Sequence, residues 1–130
     1  MTTNTQTPPR LPPRIKSAPK IKQVYWCDFP EDAQLPEFWK CRPVIILSYK
    51  NTLSGAVTVI PCTTQDQNNN KWGFHLSTTL DDGNGWAICD KPTTVAVSRL
   101  SIDKEGIKNL PDDEFNEMLS LVLKWLPKPL

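Results

Sequence analysis

Chemistry in this chain has to come from arginine, threonine, serine and carboxylate side chains. The 130 residues hold a single histidine, His75, in a short run that reads as a strand, where a lone histidine is a structural residue. The four cysteines, Cys27, Cys41, Cys62 and Cys89, are too far apart for a CxxC zinc or redox motif. They read as reduced thiols packed on strands as small hydrophobes. No nucleophile elbow, P-loop, HExxH helix or dinucleotide fingerprint occurs. Any enzyme built on this sequence therefore works by charge stabilisation and proton transfer, without a histidine or cysteine relay.

Such residues need a scaffold, and hydrophobic periodicity supplies one. Val24-Tyr25-Trp26-Cys27-Asp28-Phe29 reads as a first strand, stopped at Pro30. A loop of about a dozen residues follows, a length at which loops usually carry function. It contains Pro36 and the large apolar Phe38 and Trp39. Val44-Ile45-Ile46-Leu47-Ser48 reads as a central strand, with Pro43 tolerated at its start. Ala56-Val57-Thr58-Val59-Ile60 reads as another, ended by Pro61. QDQNNNK, residues 65–71, reads as a polar turn or mobile loop. Further strands are expected over residues 73–77, 86–90 and 93–97, with a turn cluster at 80–85 and Trp72 and Trp86 in the core. Phe115, Met118, Leu119, Val122, Trp125 and Leu126 fall on one helical face. Pro111 and the acidic Asp112, Asp113 and Glu114 suit the start of that helix, and Pro127 its stop. Short strands followed by one terminal helix point to a mainly β fold, a small curved barrel closed by a C-terminal helix.

Residues 1–20 hold five of the thirteen prolines and no aromatic residue. They read as a disordered, Pro-rich basic tail ahead of a single domain over 21–130. The tail has no apolar segment of the secretory kind, and no run in the chain is long enough to span a membrane.

Five blocks occur in one order over residues 22–100. They are Val24-Tyr25-Trp26-Cys27-Asp28, Arg42-Pro43-Val44-Ile45-Ile46-Leu47-Ser48, Val59-Ile60-Pro61-Cys62-Thr63-Thr64, Trp86-Ala87-Ile88-Cys89-Asp90-Lys91 and Val95-Ala96-Val97-Ser98-Arg99-Leu100. This series resembles the MazF/PemK (Kid) toxin family of type II toxin–antitoxin modules. The resemblance implies an SH3-like barrel, a cytoplasmic homodimer and a cognate antitoxin protein as partner. It implies an endoribonuclease (mRNA interferase) that needs no metal or other cofactor and cuts single-stranded mRNA at short sequences. By position, Arg42 matches the family's catalytic arginine and Thr63 the threonine of its P-x-T motif. Asp90 matches its acidic strand-end residue, a base or RNA contact, and Glu37 a loop glutamate. RNA contacts are expected from Glu37, Phe38, Trp39, Lys40 and Thr64, the two aromatics by stacking on splayed bases.

That chemistry is coherent. Attack of a ribose 2′-OH on its own phosphodiester builds extra negative charge on phosphorus. A guanidinium and a threonine hydroxyl can stabilise that charge. Plainer readings stand beside it. Arg42 at a strand entrance can be a surface ion pair. Thr63 and Thr64 can bond local backbone, and Asp90 can cap a turn. The chain also departs from the family pattern. Lys22 and Lys40 stand where glycines are usual, and Ile88 and Thr93 where some members carry arginines. Those losses keep a second reading open: a non-catalytic binding toxin of the CcdB type, which uses this barrel against a protein target such as gyrase.

Charge bounds the answer further. The whole chain carries 15 Lys and Arg against 14 Asp and Glu. Residues 1–22 hold five of the basic residues and no acidic one, which leaves the rest at −4. An RNA site on the domain is therefore a local groove around Arg42 and Lys40, with the tail supplying positive charge for encounter.

Overall fold

The computed structural model describes residues 6–80 and 83–130. In chain order the strands are β1 (Gln23–Asp28), β2 (Cys41–Ile46), β3 (Ala56–Thr63), β4 (Gly73–Leu80), β5 (Gly83–Ile88), β6 (Thr93–Ala96), β7 (Leu100–Ser101) and β8 (Lys108–Asn109). A 3-10 turn, Val97–Arg99, precedes β7, and helix α1 spans Asp112–Trp125. The strands pair antiparallel in the order β4-β5-β3-β2-β1-β7, with β6 added to β3 and β8 to β1. The result is a curled half-barrel with a C-terminal helix, the mainly β class expected from the sequence.

Burial on both faces explains the unbroken apolar runs. Ile45, Ile60 and Cys62 face a core that also holds Phe115, Met118 and Val122 of α1. Val44, Ile46, Val57 and Val59 face a second core with Tyr25, Cys27, Phe29 and Leu100. Neighbouring residues of β2 and β3 thus point into different cores, so neither strand shows polar alternation. Cys27, Cys62 and Cys89 are buried in these cores as small hydrophobes, while Cys41 is exposed.

Four local expectations need correcting. Pro61 does not end its strand: β3 runs through it to Thr63. Val59 is the last residue paired with β6, and Cys62 the first paired with β5. The proline stands where the strand changes partner, so its missing N–H costs no ladder bond there. Residues 83–85 are strand rather than turn. Gly85 is buried directly under the Leu80 side chain, where any Cβ would collide. Asp81 and Asp82, the rest of that turn motif, lie outside the described residues. Trp72 and Trp86 are half-buried rather than core; Trp86 stacks on His75 with centroids 4.5 Å apart. The apolar helix face also outruns the sheet, so Trp125 and Leu126 are exposed.

Helix α1 starts with Pro111 as its N-cap, without a side-chain cap. Glu114 in the first turn instead accepts from the backbone N–H and hydroxyl of Ser77 on β4. Lys22 pairs with Asp112 at 2.9 Å. Both contacts place acidic side chains at the positive end of the helix.

Residues 10–20, expected to be free, touch the sheet. Ile15 is 4% exposed and belongs to the second core. Arg14 pairs with Asp28 at 2.9 Å and donates to the Ser98 carbonyl at 3.2 Å. Arg10 donates to the Ser54 carbonyl, and the Pro19 carbonyl accepts from Asn51 at 2.9 Å. Composition hid this, because one isoleucine among prolines is enough to fill one pocket. Ile15→Ala should cost about 2 kcal/mol of unfolding free energy, read from urea denaturation; an unchanged midpoint would leave this segment outside the core.

Candidate functional site

Continuing the Val44↔Pro61 register by two residues sets Arg42 opposite Thr63. Asp90 follows β5, which pairs with β3 at Cys62 and Thr63. The topology therefore brings together three residues that are far apart in sequence. Arg42, Thr63, Asp90 and Phe38 line one groove of about 270 Å³, with Pro36, Gln65, Gln67, Asn70, Ile88 and Lys91 completing its wall.

Arg42 makes no ion pair among the described residues. The plain surface-pair reading of this residue therefore does not apply there. Its Nε donates to the Trp39 carbonyl at 2.9 Å. Its guanidinium lies 5.1 Å from the Phe38 ring centroid and 5.9 Å from that of Trp39. Burial lowers its pKa from the usual arginine value. A half-buried cation with its outer nitrogens unused is a ready receptor for an oxyanion.

Thr63 is 9% exposed, and its Oγ1 accepts from the Gln65 N–H at 3.2 Å. That bond leaves the hydroxyl hydrogen available to donate. Asp90 Oδ2 meets Lys91 Nζ at 3.1 Å. Asp90 Oδ1 is buried and has no hydrogen-bond partner among the described residues, a costly arrangement for a carboxylate oxygen.

The remaining candidates scatter. Glu37 lines a neighbouring, larger cavity. Trp39 is 48% exposed beside Arg42. Lys40 stands over the Trp39 ring at 5.1 Å and lines a different cleft, with Asp28 and Arg99. Thr64 is exposed and does not line the groove. His75 is on β4 and also outside it.

Sequence reading missed the amides Gln65, Gln67 and Asn70, which sit in the stretch expected to be mobile. That stretch is knitted together. Asn70 N–H donates to the Gln67 carbonyl at 2.8 Å, Gly73 N–H to the Asn70 carbonyl at 3.0 Å, and Trp72 N–H to Asn70 Oδ1 at 3.0 Å. Gly73 is needed there, since a Cβ would lie 2.8 Å from Gln67 Cβ. The density of amide side chains between two strands was the available signal, because such residues close turns on themselves.

The thiols take no part as nucleophiles. Burial pushes Cys27 and Cys89 up to about 12 and Cys62 upward as well. Burial, then a hydrogen bond with Asp28, pushes Cys41 to about 11. All four stay protonated at neutral pH. Among the described residues no three His, Cys, Asp or Glu side chains converge in a way that could hold a metal ion.

The fold is thus a curled antiparallel half-barrel whose groove offers a cation, a hydroxyl and a carboxylate. The family model for the PemK-like, MazF-like toxins of type II toxin–antitoxin systems matches residues 20–126, and the chain belongs to that family. No curated protein matches the sequence. Among solved structures, MazF from Deinococcus radiodurans superposes with a TM-score of 0.65 at 16% identity, over 84% of this chain and 96% of that one. An endoribonuclease in complex with its cognate antitoxin, from a mycobacterial species, gives 0.62 at 22% identity over 86% and 100%. The toxin MazF-mt6 of Mycobacterium tuberculosis gives 0.59 at 19% over 78% and 93%. At these identities the likeness shows the fold. No helix among the described residues is long and apolar enough to cross a membrane.

The chain bends through strained residues at the end of the β1–β2 loop and just ahead of β1. Lys40 has φ +59° and Lys22 φ +76°, the left-handed region that glycine enters freely. At both positions, where the family resemblance leads one to expect glycine, a lysine holds this conformation. Relief of about 1–2 kcal/mol at such a residue is offset by about 0.4–1 kcal/mol from a looser unfolded chain. Lys40→Gly should therefore raise the chemical denaturation midpoint slightly, and a lowered midpoint would mean that the Lys40 side chain outweighs the strain.

Proposed function

We propose that this chain is the toxin of a type II toxin–antitoxin module, an endoribonuclease that cuts single-stranded mRNA by internal attack of a ribose 2′-OH, without a metal ion. The unpaired Arg42 guanidinium, fixed by the Trp39 carbonyl in a groove shared with Thr63 and Asp90, carries this reading. Family membership supports it, as do structural relatives described as an endoribonuclease with its cognate antitoxin and as MazE–MazF complexes.

In the proposed reaction the scissile phosphate sits against Arg42 and Thr63. Asp90, in the groove wall, takes the proton of the 2′-OH on its carboxylate. The 2′-oxygen attacks phosphorus, and the five-coordinate phosphorane gathers charge. Arg42 and the Thr63 hydroxyl stabilise that charge through hydrogen bonds already in place. The bond to the 5′-oxygen breaks, and that oxygen leaves with a proton from water. The products are a 2′,3′-cyclic phosphate and a 5′-OH. DNA lacks the attacking group and is spared. Phe38 and Trp39 stack on neighbouring bases, with Lys40, Glu37 and Thr64 as further RNA contacts. A cognate antitoxin, a homodimer, a cytoplasmic setting and a toxin domain over 21–130 belong to the same proposal.

A specific observation favours the CcdB-like binding reading instead. Ile88, which lines the groove, replaces an arginine of some relatives and can donate no proton. One experiment separates the two. Purified protein is incubated with a long single-stranded RNA, with and without EDTA. The proposal expects discrete cuts that survive EDTA, vanish in Arg42→Ala and slow by about 10²–10³ in Thr63→Val. A well-folded protein that cuts nothing would leave the binding toxin.

The basic residues of 1–22 should assist RNA encounter. Lys16→Gln with Lys20→Gln spares Ile15 and is expected to reduce the slope of log K against log salt. The loss is about 0.7 for each phosphate contact removed, measured with a 2′-deoxy oligonucleotide; an unchanged slope would exclude these lysines.

A further inference from the structure

The groove has a larger neighbour, most of whose wall the cleavage step leaves unassigned. A cavity of about 640 Å³ lies between the β1–β2 loop and the turn after β5. That volume falls within the range of pockets that bury a small ligand, roughly 300–1,000 Å³. Phe38, Asp90 and Lys91 line both spaces, so the two are immediate neighbours. A strand with one phosphate on Arg42 can therefore place an adjacent nucleotide in this cavity.

The walls suit a base. Half-buried Phe38, braced on the core residue Phe29 with centroids 6.0 Å apart and planes tilted by 40°, offers an aromatic face for stacking. The charges suit a base with hydrogen-bond donors. Asp32, Glu37 and Asp90 line the cavity against the single cation Lys91, which Asp90 already holds at 3.1 Å. A phosphate is repelled there, whereas N–H groups find acceptors.

Glu37 is the carboxylate best prepared for this task. Its Oε1 accepts from the Gln34 N–H at 2.7 Å, and the Gln34 carbonyl accepts from the Glu37 N–H at 2.7 Å. These reciprocal bonds fix the side chain and leave Oε2 free, along with a second lone pair on Oε1. Guanine is the base that presents two adjacent N–H donors, N1–H and an N2–H, on one edge. Adenine, cytosine and uracil lack that pair.

We propose that this cavity receives the base next to the cleaved phosphodiester, that it selects guanine, and that Glu37 reads it. The proposal rests on the endoribonuclease reading. Its test compares short RNAs that differ at one position beside a mapped cut. The unaltered protein should cleave the guanosine substrate roughly tenfold faster in kcat/KM than the other three. Inosine, which lacks the N2 amine, should lose most of that advantage. Glu37→Gln keeps an acceptor for the Gln34 N–H and should bring the ratio close to one. Ala33→Phe, which fills the cavity away from Arg42 and Thr63, should do the same. Cleavage without guanosine preference, or a preference intact in Glu37→Gln, would overturn the base pocket while leaving the nuclease standing. Nucleotide binding supplies an independent arm. Guanosine 5′-monophosphate should shift the backbone NMR signals of Gln34 and Glu37 more than the adenosine, cytidine or uridine monophosphates do. If no RNA is cut, the nuclease reading fails, and that titration alone decides the pocket: equal shifts for all four would overturn it.

Discussion

Everything at the groove depends on β3 changing partners in mid-strand. Over Ala56–Val59 it pairs with β6, and from Cys62 onward with β5. A strand that serves two neighbours on one edge curls the sheet, and the two neighbours diverge around the exchange point. The turn that joins them, residues 89–92, is thereby brought beside Thr63, and Asp90 comes with it. On its other edge β3 is locked to β2 from Val44↔Pro61 to Ile46↔Val59. That ladder fixes how far Arg42 stands from Thr63. The hydrophobic effect enforces both pairings, because β2 and β3 bury side chains in two separate cores. A slip of one residue would exchange the two sets of side chains between cores of different shape.

The groove collects its polar groups on an acidic body. The chain beyond residue 22 carries a net −4. A single unpaired guanidinium therefore stands out electrostatically more than it would on a basic surface. The Phe38 and Trp39 rings and the Trp39 carbonyl orient Arg42 without neutralising it. A carboxylate in the same role would have removed the charge the site needs. The thiols illustrate the opposite treatment: burial keeps them protonated and inert.

Much of this architecture was legible in the sequence, and the parts that were not have physical reasons. Long apolar runs and the helical periodicity of Phe115, Met118 and Val122 announced the central strands and α1, since those patterns report burial directly. Arg42, Thr63 and Asp90 were legible through the ordered blocks around them, and the fold sets them in one groove. Pro61 misled because a local rule was applied where tertiary context removes its cost. Residues 83–85 misled because Gly85 answers to the Leu80 side chain rather than to a turn. The two-residue strands β7 and β8 are too short to show any period. Ile15 escaped because distant strands build its pocket, and the amide loop 65–71 because its local web of side-chain hydrogen bonds leaves the same polar composition as a mobile loop.

The positive φ values at Lys22, Lys40 and Lys50 also shape how this chain can drift over generations. At most surface positions a lysine exchanges freely with threonine, valine or isoleucine. At these three the backbone acts as a filter, and β-branched replacements are penalised before any contact is considered. Glycine passes the filter but surrenders a cation; asparagine passes with little penalty and surrenders it too. Near the groove, at Lys40, conformational ease and positive charge therefore compete for one site. Descendants of this sequence can improve one of the two there only by giving up part of the other.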